Sequence, residues 1–130
     1  MGLKLFVSTT PEDAKLARQV TRELERAGQS AYLAEVKEGE NILVKVEDEL
    51  RQSDAVIVVA SEDTLNNPNL AFEVGLAVGL GKRVDLLIPD VPSKELPPAL
   101  RSVQRIRLSE LPRYVRELAR QAAEKEQIAR

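Results

Sequence analysis

At 130 residues the chain has the length of one domain, enough to bury about two thirds of its unfolded surface around a single core. Its 19 basic and 21 acidic residues are interleaved to a net charge of −2, which provides no basic field for nucleic acid or an anionic membrane. With no cysteine and no histidine, it is barred from disulfides, thiolate chemistry, the usual zinc sites and Ser-His-Asp triads, so proton chemistry falls to Asp, Glu, Lys, Tyr or water. No metal site is expected. There is no apolar leader at the N-terminus and no run of about eighteen apolar residues, which reads as a soluble, cytoplasmic protein.

In chain order, Leu3 to Ser8 is a short apolar run that predicts a first strand, followed by Thr9-Thr10-Pro11-Glu12-Asp13 as a loop and helix start. Thr10 is placed to cap, Pro11 suits the first helical position, and Asp13 can reach back; Leu16, Val20 and Leu24 then mark one helix face as far as Gly28. Gln29 to Ala34 predicts a weak second strand, and Glu35 to Asn41, polar around Gly39, an exposed loop. Ile42, Val46 and Leu50 repeat every fourth residue and predict a second helix to about Gln52. Asp54 to Ala60 is a continuous β-branched run, the pattern of a strand covered on both faces and central in a parallel sheet.

The next segment, Asn67 to Lys82, holds Glu73 as its one ionisable group before the terminal lysine. Asn67 and Pro68 form a helix start and Gly81 a stop. Leu70, Val74, Ala77 and Val78 make a core-facing stripe and Phe72, Leu76 and Leu80 a second apolar row, so a mostly buried helix is expected. Gly75 and Gly79 each forfeit roughly 1 kcal/mol of helix propensity, which is tolerable if the backbone lies close against a neighbouring element. Glu73 is open to two readings, an anion favoured near a helix N-terminus or a partly buried acid held at a cleft for a ligand. Arg83 to Ile88 predicts a fourth strand closed by Pro89. A loop through Pro92, Pro97 and Pro98 follows, with one helical turn at Pro98 to Ser102, and then a fifth strand from Gln104 to Leu108. Leu111, Val115, Leu118 and Ala122 predict a terminal helix that frays after about Glu124.

Five alternations of strand and helix imply an α/β, three-layer, doubly wound sandwich in one domain over 1–130, with a five-stranded parallel sheet for which the flavodoxin-like order 2-1-3-4-5 is the first choice. Ligands of such sheets bind beyond the carboxyl ends of the strands at the switch point, here between strands one and three. That places Ser8, Thr9 and Thr10 opposite Ser61, with the helix bearing Glu73 starting nearby and the loop holding Lys37, Gly39 and Glu40 above. No GxGxxG or GxxxxGK[ST] follows a strand, and the loop after strand one lacks both the glycine of a flavin-phosphate cradle and the acids of a phosphate-accepting receiver domain.

Three stretches together resemble a TIR (Toll/interleukin-receptor) domain of the bacterial type. Leu5-Phe6-Val7-Ser8 with Asp13 resembles the family's first box; Glu38 to Ile42, running through Leu50 and Ser53 to Ser61, resembles the second, with its flexible loop; and Asn69 to Glu73 stands where the family carries WxxxE, with Asn69 in place of the usual tryptophan. The resemblance implies that Glu73 is the catalytic carboxylate for cleaving the nicotinamide–ribose bond of NAD, by hydrolysis or cyclisation. On this reading NAD is the substrate, no further cofactor is required, and Ser8, Thr9, Thr10, Lys37, Gly39, Glu40, Ser61 and Asn69 line the nucleotide site. It equally implies a non-enzymatic signalling module that self-associates as a homo-oligomer through the 35–41 loop. Ala71-Phe72-Glu73-Val74-Gly75 is also similar to nucleoside 2-deoxyribosyltransferases, whose glutamate is a nucleophile. Glycoside cleavage ordinarily uses two carboxylates, but nicotinamide leaves as a neutral base from a cationic ring, so a single carboxylate suffices for NAD.

Overall fold

A computed structural model of the chain describes residues 2–34, 42–89 and 96–129. Its strands are β1 (Lys4–Thr9), β2 (Ser30–Leu33), β3 (Ala55–Val59), β4 (Arg83–Ile88) and β5 (Gln104–Arg107). They form one five-stranded sheet of order β2-β1-β3-β4-β5, every neighbouring pair parallel, as the alternating pattern predicts. The helices are α1 (Ala14–Arg26), α2 (Ile42–Gln52), α3 (Pro68–Gly79) and α4 (Leu111–Ala129). The expected loop at 35–41 and the stretch containing Pro92 lie outside the described residues.

β3 is central, and all of its side chains are buried because both faces of the sheet are covered. The two-residue period of a strand then divides the core in two. Leu5, Val7, Ile57, Val59, Leu87 and Ile106 face α1 and α4, meeting Val20, Leu24, Tyr114 and Leu118. Phe6, Val56, Val58, Leu86 and Ile88 face the other way, meeting Val46 and Leu50 of α2 and Leu70, Val74 and Ala77 of α3.

Three local expectations change. The start at Pro11 is a 3-10 turn over Pro11–Asp13 rather than the first turn of α1, and Thr10 makes no side-chain cap to its backbone. α4 continues to Ala129 instead of fraying after Glu124, because Lys125 Nζ reaches both carboxylate oxygens of Asp54 at 3.0 Å and ties the last turns to the start of β3. α3 is covered on one side only: Phe72 and Val78 are 45% and 58% exposed, Leu76 and Leu80 are half-buried, and a Cβ at Gly75 or Gly79 would meet nothing within 4 Å. Neither glycine is required for close packing. No helix among the described residues is long and apolar enough to cross a membrane.

Candidate active site

Ser8 lies two residues beyond Phe6 on β1, so the strand period turns it to the same face, toward α3. α3 begins beside the carboxyl ends of the strands, where Asn67 accepts the Asn69 N–H at 2.8 Å and Pro68 takes the first helical position. Within α3, Glu73 stands three residues after Leu70 and four before Ala77, on the edge of the stripe that packs into the sheet. The two chains of spacing meet: Ser8 Oγ donates to Glu73 Oε2 at 2.5 Å. Ser8 is fully buried and Glu73 half-buried. Burial pushes the Glu73 carboxyl above its ordinary value, and the Ser8 hydrogen bond opposes that rise by favouring the ionised form. Among the described residues the second oxygen, Oε1, has no hydrogen-bond partner.

The other hydroxyls of the predicted site are engaged within the protein. Thr9 Oγ1 donates to the Val59 carbonyl at 2.9 Å, joining the ends of β1 and β3. Asp13 Oδ2 accepts from Thr10 Oγ1 at 3.3 Å, from the Ser61 backbone N–H at 3.1 Å, from Ser61 Oγ at 3.4 Å and from Thr64 Oγ1 at 2.5 Å. A capping box between Ser61 and Thr64 orders the turn that leads toward α3. One carboxylate thus staples the loop after β1 to the loop after β3. Asn69 is exposed at the start of α3. Lys37, Gly39 and Glu40 lie outside the described residues. Among the described residues no cluster of three Asp or Glu groups is placed to hold a metal ion.

Sequence reasoning identified Asp13 as a helix-start acid and missed it as the staple; its spacing after Thr10 was the available signal. It also missed Asp85, an acid inside an apolar strand. Asp85 is 1% exposed, takes the Tyr114 hydroxyl at 2.6 Å, and pairs with Arg83 through Nε at 3.2 Å and NH2 at 3.0 Å. Arg83 continues to Gln121 Oε1 at 2.8 Å. This cluster lies at the amino end of β4 in the α4 layer, away from Glu73, so its role is to hold α4 on the sheet. A groove of about 330 Å³ lined by Val78, Arg83, Ser102 and Gln104 opens at the same remote end.

Comparison with known proteins places this geometry. A family model described as TIR domain matches residues 5–122. No curated protein matches the chain. Among solved structures, the TIR domain of the Toll-related receptor TRR-2 from Hydra magnipapillata superposes with a TM-score of 0.72 at 21% identity, covering 92% of this chain and 97% of that one. The CMP N-glycosidase BcmB of Clostridium botulinum superposes with a TM-score of 0.64 at 19% identity, covering 88% and 96%. The sugar isomerase domain of an RpiR transcription factor from Sphaerobacter thermophilus gives 0.62 at 17% identity, covering 97% and 73%. Likeness at such identities is a likeness of fold, and these three folds serve different ends. The family model is the more specific finding, since it spans nearly the whole succession from β1 into α4: the chain belongs to the TIR-domain family.

Proposed function

We propose that the protein cleaves the N-glycosidic bond of a nucleotide whose base leaves as a good leaving group, with NAD as the substrate and Glu73 as the catalytic carboxylate. The observation that carries the reading is the Ser8–Glu73 pair: a half-buried carboxylate, anchored through one oxygen, at the ligand end of the sheet. Other carboxylates at the strand ends among the described residues have other settings. Asp13 is engaged by Ser61 and Thr64, and Glu62 and Asp63 are exposed. Among the described residues Glu73 is the one acid with this setting, which matches a substrate that needs no protonation of its leaving group.

In the reaction the C1′–N bond breaks and its electron pair moves to the pyridine nitrogen, so nicotinamide departs neutral and the positive charge passes to the ribosyl ring. Glu73 stabilises that charge from a fixed position in a site of low dielectric. It then orients water, whose oxygen bonds to C1′ while the water proton passes to the carboxylate and on to solvent; a hydroxyl or ring nitrogen of the substrate in place of water gives cyclisation. The fold neighbour named as a CMP N-glycosidase breaks a bond of the same class in CMP, which supports the reaction type. We place the protein in the cytoplasm, where NAD is abundant.

The experiment is nicotinamide release from NAD by concentrated protein, beside Glu73→Gln and with CMP and a deoxynucleoside plus free base as parallel substrates. The expected result is release that falls at least about 100-fold in the variant. Cytosine release from CMP with none from NAD moves the substrate class, and base exchange identifies a transferase. If folded protein turns over none of these, the catalytic reading is wrong and the second reading stands: an assembly module. The uncharged outer face of α3, with Phe72 and Val78 exposed, favours that reading, in which self-association through 35–41 is also expected.

A further inference from the structure

We infer that Ser8 is a positioning residue for Glu73 rather than a ligand for the nucleotide: its buried hydroxyl holds Oε2 and thereby presents Oε1 to the sugar. The inference rests on the catalytic reading of Glu73 and assigns a separate role to a neighbouring side chain. Three observations carry it. Ser8 has no exposed surface, so a bound nucleotide has no route to its oxygen without displacing Glu73. A serine hydroxyl has one proton to donate, and that proton is directed at Oε2 at 2.5 Å. The backbone beneath is fixed, because Ser8 pairs with Val58 in the middle of the sheet and Thr9 is bonded to the Val59 carbonyl.

A carboxylate on a helix otherwise turns freely about its side-chain torsions. Here one oxygen is tied to the central part of the sheet, which is covered on both faces, so the second oxygen is fixed relative to the strand ends at which ligands of this fold bind. The hydroxyl also favours the ionised carboxylate over the acid that burial promotes, and the ionised form is the one that stabilises a ribosyl cation. Among the described residues no charged group shares this task. Asp13 faces Ser61 and Thr64, Asp85 faces Tyr114 in the opposite layer, Glu47 of α2 pairs with Arg51, and α3 has no other ionisable side chain. Among the described residues the arrangement is therefore a single donor acting on a single acid.

The test has one readout independent of turnover and one that depends on it. In protein labelled at the glutamate side-chain carboxyl carbon, the Glu73 resonance is assigned by its loss in Glu73→Gln and titrated in wild type, Ser8→Ala and Ser8→Thr. The expected result is a titration moved to higher pH in Ser8→Ala and returned toward wild type by Ser8→Thr, which restores a hydroxyl. In nicotinamide release from NAD, Ser8→Ala is expected to lower kcat by about 10- to 100-fold, the effect of losing one hydrogen bond to a charged group, with KM little changed. The acidic limb of the kcat profile should move up with the titration.

An unchanged Glu73 titration in folded Ser8→Ala overturns the inference. A raised KM at constant kcat also overturns it, because that is the signature of a lost substrate contact. If the wild type releases no nicotinamide while the titration still responds to Ser8, the function proposed above fails and the positioning contact survives, so the two failures are distinguishable. Should Ser8→Ala not fold, Ser8→Cys keeps the side-chain volume with a poor donor and supports the same titration.

Discussion

Tyr114→Phe removes a single oxygen from the buried cluster that joins β4 to α4. The Tyr114 hydroxyl donates to Asp85 Oδ2 at 2.6 Å, and Asp85 is 1% exposed, so water does not reach the vacated position. Phenylalanine keeps the ring and its packing, and the loss is therefore the hydrogen bond itself. A bond to a charged acceptor is worth about 1.5–3 kcal/mol, and because Arg83 stays on both oxygens of Asp85 a value near the lower end applies, about 2 kcal/mol. In a chain of 130 residues this lowers Tm by about 6–8 °C. Calorimetry and urea unfolding are the assays, with the expected change confined to the midpoint and no change in m. Nicotinamide release per folded molecule should stay at the wild-type level, since Tyr114 and Glu73 lie in opposite layers. A Tm within about 1 °C of wild type would refute the reasoning, showing that the buried carboxylate does not depend on the tyrosine.

Further predictions follow the same logic elsewhere. Because burial raises the folded-state pKa of Glu73, stability carried by that group is full below its unfolded value and declines as pH rises through the folded value. Glu73→Gln should therefore be more stable than wild type at pH 7, with the difference shrinking as pH falls below the unfolded value, as followed by urea unfolding at both ends of that range. Asp13→Ala removes the acceptor shared by Thr10, Ser61 and Thr64; it should cost about 2 kcal/mol and speed amide exchange at Ser61 and Thr64, and unchanged exchange there would show that the staple is not holding the loops. Burial raises the Asp54 carboxyl, but the Lys4 backbone N–H and Lys125 outweigh it and leave the group below its ordinary value, so its contribution is present above the unfolded pKa and lost as pH falls. Lys125→Ala should cost less than about 1 kcal/mol, since the pair is partly exposed, yet it should raise amide exchange in the last turns of α4 and not in α1.

The sequence alone determined the sheet. A β-branched run at Asp54 to Ala60, bounded by helical periodicities, has no stable place except the centre of a parallel sheet; alternation and crossover handedness called for a doubly wound sheet, and the flavodoxin-like order 2-1-3-4-5 chosen for it is the one found. The caps at Asn67-Pro68 and the stop at Gly81 were equally legible, because cap chemistry is local: Asn67 bonds a backbone group two residues away, and Gly81 takes a φ of 73° that other residues resist. Glu73 stood out as the one acid in an apolar helix. The partner of each polar side chain was not legible, because partners are set by distance in space. Ser8 and Glu73 are 65 positions apart and Asp13 and Thr64 are 51 apart, so only the packed sheet shows that one hydroxyl serves the carboxylate while Thr10 and Ser61 serve a staple. The exposure of Phe72 and Val78 was hidden for a related reason. A helical stripe reports which residues are apolar, and the number of neighbouring elements decides how much of that surface is covered. Among the described residues α3 has the sheet on one side and no layer on the other, a fact of tertiary arrangement that no local pattern contains.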